Sequence, residues 1–243
     1  MAEVQLVVRQ VSTQVPVTIN LSLALGQVST GDEGGATPAE TARSTGAACV
    51  SSISALARHD PASANELSEE DRANLQFTTD GEGGEGASYG AVFGEVVRGF
   101  ADQLHQQVEE YTDSVVEEDP SQAIMSLQNE LDGVFDVTEG QGRFNSGRVM
   151  VAFYLTYSVV KKYYQRYGNE RILPFMKQLL PSVVSYLFRI GFMSWLVITG
   201  GWEILRAVTR ADSLVSFLFR VVRVAPYVGG LWLSWRAFRY FWH

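Results

Sequence analysis

Arg148 is the residue whose type and place could do chemistry. It stands at the edge of an apolar run, FNSGRVMVAFYLTYSVV, over residues 144–160. A full charge held there wants a carboxylate partner, or a route by which its tip reaches water. The chemistry on offer is a charge-assisted hydrogen bond to such a carboxylate, and the plain alternative is an ordinary buried helix with a capped start and an Arg that snorkels to water. A second constellation lies upstream. Phe93, Val97, Phe100 and Leu104 recur at spacings of 4, 3 and 4, and Ala101 and Asp102 follow the third of them. That spacing puts four apolar side chains on one helix face, with a carboxylate close by. Two readings fit: a stripe packed into a core, or the anchor face of a helix that docks in a groove. His105, beside the stripe, reads as structural.

Nothing in the chain has the arrangement of an enzyme. No nucleophile stands with a base, no His set has metal-ligand spacing, and no glycine-rich loop has the phosphate-binding pattern. The expectation is a non-enzyme without cofactor or metal. The single cysteine, Cys49, excludes an internal disulfide and a cysteine metal site, and fits a reducing compartment.

The elements that must position these residues follow from composition and pattern. A chain of 243 residues, 46% of them apolar, can build a sizeable core in one or two domains. Its net charge of -8 hides a division: residues 1–139 carry 24 Asp and Glu against 5 Arg (net −19), and residues 140–243 carry 14 Lys and Arg against 3 acids (net +11). The basic half is rich in aromatics, and its cations are scattered among long apolar runs. That favours a membrane surface over nucleic acid.

Residues 1–38 read as an N-terminal extension, expected to be flexible. Val15, Val17, Ile19, Leu21, Leu23 and Leu25 alternate within it, which fits a lone edge strand or an unstructured tract. No basic segment precedes it, so it does not read as a signal peptide. Residues 39–59 have helical spacing. Residues 60–88, rich in Asp, Glu, Ser and Gly, read as a flexible acidic loop. After the 93–104 stripe and Pro120, residues 121–135 form an amphipathic helix with Ile124, Leu127 and Leu131 on its apolar side. Asn145 is placed to cap the central helix and Gly168 to end it. Residues 172–190 resume the helical pattern, with Pro174 in the first turn and Pro181 expected to kink or stop it. A short apolar stretch then leads to Gly200, Gly201 and Trp202. The tail, residues 213–235, is about the length of a membrane span and contains Arg220, Arg223 and Pro226.

Three stretches carry a resemblance. FGEVVRGFADQLHQQV resembles the third homology motif of the Bcl family of apoptosis regulators. RFNSGRVMVAF resembles its first motif, with Ser146 where the family usually has Trp. WLVITGGW resembles its second, with the Gly-Gly-Trp core intact. They occur in the family's order, and residues 39–59 resemble the first helix of its Bak and Bax group. The resemblance spans residues 39–243. It implies an all-α bundle of eight or nine helices around a central apolar helix, over residues 39–211, followed by a membrane-anchor candidate at 212–243.

The resemblance further implies a groove that receives a death-motif helix by its i, i+4, i+7, i+11 anchors. Its residues would be Leu127, Leu131, Asn145, Gly147, Arg148, Val149, Ala152, Phe153 and Trp202, with Arg148 receiving the ligand's Asp. The chain's own death-motif helix would present Phe93, Val97, Phe100, Ala101, Asp102 and Leu104. The implied partners are death-motif helices of related proteins, a second copy of the chain, and membrane lipid, at the mitochondrial outer membrane with a cytoplasmic pool or at the endoplasmic reticulum. Leu214, Phe217, Arg220, Arg223, Leu231 and Trp235 would belong to the anchor. The alternative for the tail is an amphipathic helix folded back on the bundle. Two functions stay open: a pore-forming effector, and a pro-survival protein that captures death-motif helices. Lys161, Lys162 and Arg166, closing the central helix, favour the effector because they suit anionic headgroups.

Overall fold

The computed structural model describes residues 2–10, 16–23, 38–79, 108, 111–113, 116 and 119–199. In chain order the elements are strands β1 (Ala2–Gln10) and β2 (Pro16–Leu23), helices α1 (Pro38–His59), α2 (Pro61–Glu66) and α3 (Glu69–Asn74), and strand β3 (Phe77–Thr79). Helices α4 (Pro120–Phe135), α5 (Ser146–Tyr167), α6 (Asn169–Arg189) and α7 (Phe192–Thr199) follow. Helices predominate among the described residues.

Residues 149–160 contain no charge, and a helix with no polar face must be enclosed. Every one of them is buried in α5, against which α1, α4 and α6 pack. The ends of α5 are where local chemistry puts them. The Asn145 side chain accepts the Arg148 backbone N–H at 2.9 Å, and Gly168 closes the helix at φ 72. Helix α4 starts on Asp119 with Pro120 at its first position and ends on Asp136 at φ 49. Helix α6 begins three residues earlier than its apolar pattern indicates, which sets Pro174 beyond the first turn. It continues through Pro181, so that proline does not stop it. Helices α6 and α7 meet at a 63° bend; no single described helix is long and apolar enough to cross a membrane, and this bent pair is so by length and composition only.

Two expectations are corrected here. The alternating N-terminal tract is not a lone strand. It pairs antiparallel with β1, Ala2 opposite Leu23 and Arg9 opposite Pro16, in a sheet of order β2-β1-β3. The sheet is an addition to the all-α expectation. It lies beside α1 and α6. Within the expected acidic loop, residues 60–79 are ordered as α2, α3 and β3. Ser68 forms a reciprocal capping box with Asp71, and Leu67, Leu75 and Phe77 are buried in the core. A polar segment holds a fold here because it has apolar anchors and because α5 supplies its polar partners.

The α4–α5 connection is a tight hairpin tied to the end of α6. Gly142 donates its N–H to the Ile190 carbonyl at 2.8 Å, and Arg143 donates to the Phe135 carbonyl at 2.6 Å. A Cβ on Gly142 would sit 3.0 Å from Ile190 Cδ1 and 3.3 Å from Phe135 Cβ. Gly142→Ala should therefore crowd the junction and cost about 1–3 kcal/mol, read as a fall in Tm.

Candidate functional site

The N-terminal mouth of α5 holds the candidate recognition charge. The capped first turn fixes the Arg148 backbone, and its Nη1 donates to the Arg143 carbonyl at 3.0 Å. Among the described residues its buried Nε has no hydrogen-bond partner and the side chain makes no ion pair. A buried guanidinium N–H left unpaired is costly, and an incoming carboxylate is the group that satisfies it best. The mouth is braced by aromatic rings. Phe144 lies 4.8 Å from Phe135, 5.6 Å from Phe192 and 5.8 Å from Trp195, centroid to centroid.

Of the expected groove residues, Leu127, Leu131, Val149, Ala152 and Phe153 come together in one cluster, each buried. Gly147 is buried at the same end, Asn145 is exposed as the cap, and Arg148 is half-buried between them. In this conformation the five apolar residues are core. Phe93, Val97, Phe100, Ala101, Asp102, Leu104 and Trp202 lie outside the described residues, as do Leu214, Phe217, Arg220, Arg223, Leu231 and Trp235. Val197 and Ile198, at the end of α7, are exposed. Cys49 is buried in α1, and burial pushes its thiol up, away from nucleophilic reactivity.

A second polar site was not foreseen. Toward its C-terminal end, α5 presents Tyr157, Lys161, Tyr164 and Gln165, spaced 4, 3 and 1, to the segment 60–74. Lys161 Nζ sits 3.0 Å from Glu66 Oε2 and 3.9 Å from Asp60 Oδ2, and Gln165 donates to the same Glu66 oxygen at 3.2 Å. Ser63 Oγ donates to Asp60 Oδ2 at 2.8 Å and also meets the Tyr157 hydroxyl. Tyr164 donates to Asp71 and accepts from Asn74 Nδ2. Lys161, expected to suit headgroups, is thus buried in an ion pair. Lys162 pairs with Asp113 at 2.6 Å, and Arg166 is exposed. The sequence signal for this site is a Tyr-Lys-Tyr spacing of 4 and 3 opposite an acidic segment.

The Tyr164 hydroxyl, with help from Ser68, holds the Asp71 carboxyl below its ordinary 3.8. A carboxylate with a depressed folded-state pKa contributes stability that is complete above its unfolded value and is lost as pH falls through the folded one. Thermal stability should therefore decline as pH is lowered below 3.8, and Asp71→Asn should remove part of that decline. Melting curves of both proteins between about pH 5 and pH 2.5 check this.

Comparison with protein-family models, with curated proteins and with solved structures gives no match to this chain.

Proposed function

We propose that the chain is a Bcl-type regulator of apoptosis, and within that class an effector that oligomerises and permeabilises the mitochondrial outer membrane. The observation that carries the reading is the order of three motifs in the sequence, of which RFNSGRVMVAF stands at the mouth of an enclosed apolar helix with an Arg148 Nε that has no partner among the described residues. An Arg at that place is suited to the Asp of a death-motif helix. The helix bundle around α5 is compatible with the Bcl architecture of eight or nine helices, and the apolar tail is assigned as the anchor. No enzymatic activity, cofactor or metal belongs to this reading. The effector is preferred for the match of the 93–104 stripe to a death motif and for the basic character of residues 140–243. Burial of Lys161 takes one cation out of that second argument and leaves Arg166 and the tail arginines in it.

Dye release from vesicles containing anionic lipid tests the proposal, with the full-length chain and a death-motif helix peptide as activator. The effector reading expects leakage that depends on both. Tight peptide binding without leakage would assign the chain to the pro-survival class. Absence of both binding and leakage would remove it from the family.

A further inference from the structure

The polar site at the far end of α5 belongs to none of the roles above. Lys161 is 5% exposed, and its ammonium reaches carboxylates at both ends of the six-residue helix α2, Asp60 just before it and Glu66 at its close. Tyr164 holds α3 in the same way, through Asp71 near its start and Asn74 at its end. One face of one helix therefore fastens two consecutive short helices by polar contacts. Underneath, Leu67, Leu75 and Phe77 reach the core, and the Phe77 N–H donates to Ser54 Oγ of α1 at 2.7 Å.

Such an attachment is close to all-or-none. The Asp60 side chain has no exposed surface, and the charge of Lys161 together with the Ser63 hydroxyl lowers the cost of burying it. Once Lys161 and Asp60 separate, each must be hydrated, and the contacts around Ser63 and Tyr157 no longer have a fixed frame. The closed state also contains a cost that opening relieves, because Arg72 Nε of α3 is buried with no hydrogen-bond partner among the described residues. Helices α2 and α3 are six residues each and too short to persist apart from the surface that holds them.

We infer that residues 60–75 form a clasp, a separately opening unit that covers the Tyr157–Tyr164 face of α5, is locked by Lys161 bridging Asp60 and Glu66, and turns on β3, which stays paired with β1. Opening it bares Tyr157, Lys161 and Tyr164 while the mouth of α5 stays packed. This inference stands on the contacts alone and does not require the proposed function.

Hydrogen exchange of the full-length chain, resolved by segment, tests it. Lys161→Met keeps the buried stem but removes the ammonium beside Asp60 and Glu66. Amides of residues 60–75 should then exchange about 100-fold faster, with residues 120–135 and 146–156 unchanged. Adding Asp60→Asn to Lys161→Met should restore most of the protection, because the buried negative charge is gone while Ser63 retains an acceptor. Tyr164→Phe, a milder change, should accelerate the same segment about 10-fold and serves if Lys161→Met does not fold. Unchanged exchange in 60–75, or an equal acceleration across α4 and α5, would overturn the clasp.

Discussion

Phe153→Ala should remove about 3–5 kcal/mol of folding stability. Phe153 is fully buried about a third of the way along a helix enclosed by α1, α4 and α6, so no solvent can fill the space left by its ring. Leu127 and Leu131 of the same core cluster are equally buried, and a helix packed on three sides cannot shift toward the void without opening a gap behind it. The loss is a large share of the stability of an ordinary domain. Chemical denaturation should show a lower midpoint with an unchanged slope. A loss under about 1 kcal/mol would mean that the site is loosely packed and that α5 is not the centre of the fold.

Leu104→Glu and Asp102→Arg should each abolish association through the 93–104 stripe. The first change places a carboxylate on the apolar face that must be buried in a partner. On the proposed reading the second brings a positive charge to Arg148 in place of the carboxylate it would receive, turning an attraction into a repulsion. Crosslinking on membranes after activation should give only monomers for both variants. Crosslinked oligomers that survive both changes would return the stripe to ordinary core.

The sequence made the centre of the fold legible because the physics there is local and repetitive. An apolar run of three turns with Asn145 before it and Gly168 after it states both a helix and its burial. Helix α4 was equally plain, through Pro120 and the Ile124, Leu127 and Leu131 spacing. Residues 60–79 were not. Their composition is that of a solvated loop, and what orders them includes partners 90 or more residues away, as in Ser63 with Tyr157, Asp71 and Asn74 with Tyr164 and Glu66 with Lys161. Periodicity within a window cannot report such contacts. Lys161 was misread for the same reason: a lysine at the polar end of a helix is ordinarily solvated, and only the folded chain reveals Asp60 beneath it. The N-terminal strand was visible by its alternation, whereas its pairing with residues 2–10 depended on a partner of less regular pattern. Pro181 misled because a proline inside a helix forfeits one hydrogen bond and strains a turn; the buried Leu179, Leu180, Val183 and Val184 on both sides outweigh that cost.

The central claim is that the mouth of α5 recognises a helix through Arg148. Calorimetric titration of a peptide spanning residues 90–108 into the full-length chain measures it most directly, beside the same titration of Arg148→Ala. The substitution deletes the charge and leaves the Asn145 cap and the Phe144 ring cluster in place. The account predicts saturable binding by the parent chain and a Kd raised about 30-fold in Arg148→Ala, equivalent to about 2 kcal/mol for a charge-assisted hydrogen bond. Equal affinity in the two proteins, or no binding by the parent chain, would contradict it.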